Sequence, residues 1–251
     1  MESRAEEQLN WAPGPDVASS MDEYAMRFRG GIGRWQLGVQ NRLLLDLLKP
    51  WQGGRVLDVG GGHGQYTDDL IEAGFDLTVH GSVPETAHRI QRQIEAGSCR
   101  FIVGDMLNLP CADQEFDCVV SVRQLSHVED PEKFLGGLCR VARHAVVVDY
   151  PPKSGFNVMA KLLFPLKSLL EKKSTRPYTV FWEPELAAMI SGQGFEVTGH
   201  EAQFSLPMVV HRVVRWVGLI QMLEAICRRT GLTRRIGGPV LLRAERRTHD
   251  E

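Results

Sequence analysis

A chain of 251 residues with 24% charged residues and a formal net charge of −2 is long enough for one α/β domain with some decoration, and it carries no global charge that points to nucleic acid. Its 43% apolar content is ordinary for a globular protein. No window reaches the roughly 18 uninterrupted apolar residues of a membrane span. Acidic Glu2, Glu6 and Glu7 stand where a secretory signal needs a basic and then an apolar run. The five cysteines, at 99, 111, 118, 139 and 227, show neither a C-x-x-C pair nor metal-ligand spacing, which suits buried thiols in a reducing, cytoplasmic setting.

Residues 1–34 read as a flexible cap segment. It holds the turn-like Pro13-Gly14-Pro15, a capping box in Ser20-Met21-Asp22-Glu23, and a joint at Phe28-Arg29-Gly30-Gly31-Ile32-Gly33. A helix follows from about Arg34 to Leu48, with Trp35, Val39, Leu43, Leu44 and Leu47 on one side, and stops at Pro50. Strands are predicted at Arg55–Val59, Leu77–His80, Phe101–Val103, Asp117–Ser121 and Ala145–Asp149. Helices are predicted near Tyr66–Ala73, Pro84–Ala96 and Pro131–Val141. Strands alternating with helices of that length mean a parallel sheet covered on both faces.

After Asp149 the rhythm changes. Pro151-Pro152 ends the fifth strand, an amphipathic segment runs from about Ser154 to Lys172 with a break at Pro165, and a polar loop carries Arg176 and Tyr178. A helix at Glu183–Gln193 and a strand at Glu196–Gln203 resume the pattern. A long helix is then predicted over Met208–Arg229, with Val209, Val213, Trp216, Val217, Ile220, Leu223 and Cys227 as its apolar stripe. Gly237-Gly238-Pro239 leads to a closing strand at Val240–Arg243.

The chemistry-bearing stretch is Val56-Leu57-Asp58-Val59-Gly60-Gly61-Gly62-His63-Gly64-Gln65: a strand, a glycine turn and a helix start, which exposes bare backbone and a helix N-terminus to a ligand. A dinucleotide fingerprint needs a third glycine three positions after Gly62, where Gln65 stands. The spacing D-x-G-x-G-x-G instead resembles motif I of class I S-adenosylmethionine (SAM) dependent methyltransferases. Gly104-Asp105-Met106, Leu109-Pro110 and Phe116-Asp117 are similar to that family's G-D-x-x-x-L-P…F-D signature, and Leu125-Ser126-His127-Val128 to its L-x-H-V. The nearest flavour is the type-11 group that includes ubiquinone and menaquinone methyltransferases.

The resemblance covers about residues 35–247 and implies a Rossmann-like seven-stranded α/β sheet of order 3-2-1-4-5-7-6 with strand 7 antiparallel. Helices would precede the sheet, and a helical insertion would separate strands 6 and 7. Residues 151–182 and 205–236 would form acceptor-side or lid insertions. SAM would be the cofactor, held by Asp58, Gly60, Gly62, Gly64, Tyr66, Ser82, Asp105 and Met106, with Asp105 at the adenine amino group and Met106 against the ring.

Two departures stand out. Relatives end the second strand in an acid that accepts from both ribose hydroxyls, whereas this chain has Gly81. Ser82 and backbone groups would then hold the ribose, with glycine letting the adenosine approach closely, or else Glu85 would reach back. The E-x-x-E-H of ubiquinone-type enzymes is replaced by Arg123, Ser126 and His127, which removes both carboxylates and disfavours a metal.

The rim residues have alternatives. Asp149 is the best general base or acceptor-orienting group, with His127 second, although both also suit structural roles at loop and helix starts. His63 reads as an exposed loop histidine, and Asp105 also suits a turn cap. Arg123 suits an anionic acceptor or a surface ion pair. Tyr150, Arg176 and Tyr178 lie on the acceptor side, and Tyr24, Arg27 and Arg29 would close over the cofactor. Residues 208–229 suit core packing, a lid, or peripheral contact with a membrane surface. The function implied is methyl transfer to a small-molecule, glycan or lipid-like acceptor. The rivals are a SAM-binding fold repurposed for other chemistry or regulation, and a peripheral membrane-binding module. A nucleic-acid substrate is disfavoured, since no basic, aromatic-rich face lies outside the C-terminal helix.

Overall fold

Short runs of β-branched residues bounded by glycine and proline become the strands of a single sheet. They are β1 (Arg55–Val59), β2 (Asp76–Gly81), β3 (Arg100–Val103), β4 (Phe116–Ser121), β5 (Ala142–Tyr150), β6 (Phe195–Ala202) and β7 (Val240–Arg246). The computed structural model describes residues 9–153, 178–214 and 216–248. The seven-stranded order is β3-β2-β1-β4-β5-β7-β6, as the family resemblance implied. The first five strands pair in parallel, and β7 runs antiparallel to both β5 and β6.

Side chains alternate along each strand, so the sheet has two apolar faces. Leu57, Val59, Val119, Val146, Val148 and Leu242 face α6 (Pro131–Val141) and α7 (Glu183–Ser191). Val56, Val120, Val147 and Leu241 face α3 (Gly31–Leu48) and α4 (Thr67–Glu72) through Leu44, Leu48 and Leu70. Each fully buried aliphatic or aromatic side chain contributes about 1.5–3 kcal/mol, enough for these layers to fix the strand ends on which the site is built. The same alternation puts Asp58 on the face of Val56 and Asp149 on the face of Val147, while Tyr150 shares the opposite face with Val148.

Several local expectations change. Two short helices, α1 (Asp16–Ser19) and α2 (Asp22–Met26), occupy the cap segment, but Met21 is the N-cap of α2 without a side-chain cap, so Ser20 and Glu23 form no capping box there. The joint at 28–33 is already helical from Gly31. The stretch after Pro84 is a 3₁₀ run, Pro84–Ile90, before α5 (Gln91–Glu95). The long helix splits into α8 (Met208–Val213) and α9 (Val217–Arg229), followed by α10 (Leu232–Ile236). Val214 and Trp216 take extended backbone at the break, and Trp216 is 77% exposed rather than on a buried stripe. Two causes act together: β-branched valines propagate a helix poorly, and Glu224 on α9 is drawn inward to accept from the Ser205 and Leu206 amides and from His211. The predicted amphipathic segment 154–172 and Arg176 lie outside the described residues.

Candidate functional site

Strand β1 delivers the chain into Gly60 at φ 77°, one 3₁₀ turn over Gly61–His63, and Gly64 at φ 65°. Side chains rarely tolerate that left-handed backbone, so glycine is required at both positions. The turn is packed on every side. A Cβ on Gly60 would meet Gln124 at 2.7 Å, and one on Gly62 would meet the Thr86 carbonyl at 2.2 Å and the Ser20 hydroxyl at 2.8 Å. The Gln124 amide donates to Gly60 O at 3.0 Å and to Ser19 Oγ at 3.3 Å, tying the end of β4 and the cap segment to the turn.

Two buried carboxylates stand on one sheet face, Asp58 on β1 beneath this turn and Asp149 on β5 two strands away. Asp58 is fully buried and accepts from Tyr66 Oη at 2.7 Å. Burial pushes its carboxyl up to about 7, against the opposing pull of that hydrogen bond. Asp149, 6% exposed, accepts from the Arg123 amide, and burial raises it to about 6. Tyr66 is held far above its ordinary value by burial and by Asp58 beside it, so it is a donor and not a base. His63 is buried at 1% exposure, not on an exposed loop. Its Nδ1 accepts from the Gln65 amide, its ring stands edge-on to Tyr66, and burial with Arg123 and Arg89 nearby holds it neutral.

Arg123 leaves β4 at φ 70°, donates to Gln40 Oε1 at 2.8 Å, and lies over the rings of Phe28 at 4.4 Å and Tyr24 at 5.9 Å. It is half-buried among these groups, which is not the surface ion pair considered from sequence. His127 stacks obliquely with Tyr178 at 5.6 Å, and Tyr178 feels the charge of Asp149. Tyr24, Phe28, Arg123, Asp149, His127 and Tyr178 thus form one aromatic-edged corner at the carboxyl ends of β4 and β5. Tyr150 does not join it: its hydroxyl donates to Glu183 at 3.1 Å on the other face. Arg27 covers Tyr24 at 4.9 Å.

Just beyond β3, Asp105 caps its own turn, accepting from the Leu107 amide at 2.9 Å and from the Asn108 side chain. Met106 is buried in the same apolar cluster as Leu109. Gly81 is not left open for a ligand, because a Cβ there would lie 2.0 Å from Thr86 Oγ1 and 2.7 Å from the Phe101 ring. Glu85 points to solvent. Ser82 is fully buried and bonded to the cap segment through Asp16, a residue the sequence reading passed over because nothing within the chain's local pattern marks it. Gln124, likewise, carries no local sequence signal for its place at the turn.

Around the glycine turn, Ser20 Oγ, Asp58 Oδ2, His63 Nε2 and Gln124 Oε1 are buried without a protein partner. Unmade hydrogen bonds of this kind cost about 1–3 kcal/mol each. Their clustering at a strand–turn–helix crossing fits a polar, net-cationic ligand facing Asp58 and Asp149. Among the described residues no group of three or more His, Cys, Asp or Glu side chains is placed to hold a metal ion.

Residues 57–147 match the model of a methyltransferase domain. A demethylmenaquinone methyltransferase of Renibacterium salmoninarum is 30% identical over 139 residues, covering 51% of this chain and 54% of the relative. The chain thus spans about half the length of that curated relative. Among solved structures, the complex between the Haloferax volcanii Trm112 methyltransferase activator and the putative methyltransferase aligns at TM-score 0.63 and 18% identity, over 95% of this chain and 100% of that one. Magnesium protoporphyrin IX methyltransferase from Synechocystis, with bound S-adenosylhomocysteine, aligns at TM-score 0.61 and 16% identity, over 90% and 94%. Strand order, glycine turn and matched segment agree: residues 57–147 are similar to a methyltransferase domain, and the sheet around them has the class I SAM-dependent methyltransferase fold.

Proposed function

We propose that the protein transfers a methyl group from SAM to a small, ring-bearing or lipid-like acceptor. The observation that carries this reading is a pair of buried carboxylates on one sheet face, Asp58 beside a glycine turn whose buried polar atoms lack protein partners and Asp149 at the end of β5. When bound, SAM supplies an electrophilic methyl on a cationic sulfonium. Asp58 and Asp149 offset that positive charge in a site where water is excluded and Coulomb attraction is strong. The glycine turn and Gln124 fix the cofactor's methionine end, while Asp105, Met106 and Ser82 line its adenosine end. In-line displacement needs alignment more than side-chain chemistry.

The acceptor corner follows from the aromatic edges. Phe28, Tyr24 and Tyr178 offer apolar flanks to a flat ring, and His127 lies against Tyr178. Arg123 suits a carboxylate, phosphate or developing oxyanion on the acceptor. Asp149, poised at about 6, is ionised at neutral pH and takes the proton of an acceptor hydroxyl at a carboxylate oxygen, with His127 as the second such group. Arg123, Ser126 and His127 supply no carboxylate for a cation, so the reading is a metal-independent transfer. The curated relative named for demethylmenaquinone supports a quinone-like acceptor. Peripheral contact with a membrane through 208–229 and a cytoplasmic location belong to the same reading.

Calorimetric titration with SAM and S-adenosylhomocysteine, with Asp58→Asn as control, tests it. Micromolar binding is expected, weakened about tenfold or more for SAM in the variant, which keeps the Tyr66 hydrogen bond but loses the charge. Absence of binding by either ligand overturns the cofactor reading. Binding without methyl transfer to any quinone, phenol or lipid-linked acceptor favours the repurposed fold.

A further inference from the structure

We propose that Arg123, held in place by Gln40, takes the α-carboxylate at the methionine end of the cofactor; the inference rests on the SAM reading above and deepens it. A guanidinium presents several N–H donors in a rigid fork matched to a carboxylate. One of these donors, on Nη2, goes to Gln40 Oε1 at 2.8 Å, while Nη1 is without a protein partner. The rings of Phe28 and Tyr24 lie 4.4 and 5.9 Å from the guanidinium, contacts that use none of its hydrogen-bonding capacity. Asp149 accepts from the Arg123 backbone amide, and no carboxylate among the described residues pairs with the side chain. A half-buried cation with free donors and no counter-ion is a place for an anion.

Two anions suit that place, one on the acceptor and the cofactor's own carboxylate, and the surroundings favour the second. Arg123 acts toward the exit of the glycine turn, where its charge is felt by His63 and Tyr66. Gln40 is followed on α3 by Asn41, whose amide donates to the Gln65 carbonyl at 3.0 Å. Gln65 is half-buried there, with both side-chain amide atoms unpartnered. The unpartnered groups also divide by kind. Arg123 Nη1, Gln40 Nε2 and Gln65 Nε2 are donors, which suit a carboxylate; Asp58 Oδ2 and Gln124 Oε1 are acceptors, which suit an ammonium. An α-amino acid carries one of each. An anion on the acceptor alone would leave the second set unused.

The assignment also removes an electrostatic difficulty. A guanidinium and a sulfonium repel, and the repulsion grows where water is excluded. A carboxylate on the same ligand, bonded to the guanidinium, cancels most of that charge before it reaches the sulfonium. Gln40 then acts as a positioning residue, since its Oε1 fixes the direction of the fork. The Arg123 backbone is fixed as well, at φ 70° with its amide on Asp149. Both ends of the arginine are thus set by groups from α3 and β5.

The experiment is calorimetric titration of the whole protein with S-adenosylhomocysteine and with its decarboxylated analogue, which keeps the adenosine, the thioether and the amine. Wild type is expected to prefer the carboxylate form by about ten- to hundredfold. Arg123→Met is expected to lose that preference, weakening S-adenosylhomocysteine and barely touching the analogue. Gln40→Glu keeps an oxygen on the fork but adds a charge that competes for it, and is expected to cut the preference about tenfold. That second variant decides the matter should Arg123→Met fail to fold. Equal binding of the two ligands by wild type would mean that the carboxylate has no partner. Equal weakening of both in Arg123→Met would mean that the guanidinium only holds the cap rings, and unchanged affinity for both would give it to the acceptor. A preference kept in Gln40→Glu would place the carboxylate elsewhere. Each of these overturns the proposal. Failure of wild type to bind either ligand defeats the SAM reading itself, a result distinct from all of these.

Discussion

Burial raises Asp58 to about 7 and Asp149 to about 6, and a buried acid with a raised value has a definite sign in linkage. The unfolded chain releases these protons near pH 4, the folded ligand-free protein only near 6 to 7. Between those limits the folded state holds more protons, so its stability falls as pH rises through the window. A cationic ligand reverses the preference by favouring the carboxylates. Thermal melting of the ligand-free protein from about pH 4 to about pH 8 is expected to show a declining midpoint, with SAM restoring most of the loss at the upper end. Titration in two buffers of different ionisation enthalpy is expected to show proton release on SAM binding. A flat melting profile together with no proton release would mean that the two acids are solvated. At this scale the sequence revealed what is local: Asp58, Gly60 and Gly64 lie within one turn, and Tyr66 one helix start away. It did not reveal Asp16 on Ser82, 66 residues apart, or the burial of His63, since both depend on how the cap segment and the helices fold over the turn.

Among the elements, the insertion between β6 and β7 is held by one buried carboxylate. Glu224 accepts from the Ser205 and Leu206 amides at 2.8 and 3.0 Å and from His211 Nε2 at 3.0 Å. His211 Nδ1 lies 2.7 Å from the Gln36 amide, so the network reaches α3, with Trp35 and Phe204 against the imidazole. Replacing Glu224 with alanine leaves two buried amides and an imidazole without their acceptor, at a cost of about 3 kcal/mol or more. Hydrogen exchange is expected to accelerate in α8 and α9 while the sheet stays protected; uniform exchange across the protein would mean that the insertion is not held locally. The parallel part of the sheet was legible because strands alternate with helices, whereas the strand order came with the family resemblance. The break at Val214 was not, because a 3.6-residue stripe continues on paper through a point where a tertiary contact turns the backbone.

For the whole molecule, the consequence of that break is a surface. With Ile220 and Glu224 turned inward, α9 and α10 present Trp216, Met222, Ile226 and Leu232 outward at 77, 52, 51 and 40% exposure. Arg229, Arg234 and Arg235 are exposed beside them, and Arg228 reaches back to the Gln203 carbonyl. The one acid between residues 216 and 236 is Glu224, which is buried, so the outer face carries apolar and cationic groups together. No helix of the described residues is long and apolar enough to cross a membrane, but this face has the composition of one that lies on an anionic lipid surface. Such a position would bring a lipid-like acceptor near the site by partition alone. Sedimentation with phosphatidylglycerol vesicles is expected to retain the protein more strongly than with phosphatidylcholine vesicles, and the difference to shrink with added salt. Arg229→Glu with Arg235→Glu is expected to weaken retention by about fivefold or more per site, at roughly 1 kcal/mol for each basic residue at the surface. Trp216→Ala is expected to weaken it through lost apolar contact, while leaving the melting temperature and SAM affinity unchanged, because an exposed side chain away from the site holds neither. Equal retention on the two vesicle types, or variants that bind like wild type, would remove the membrane from this surface and leave the acceptor to arrive from solution.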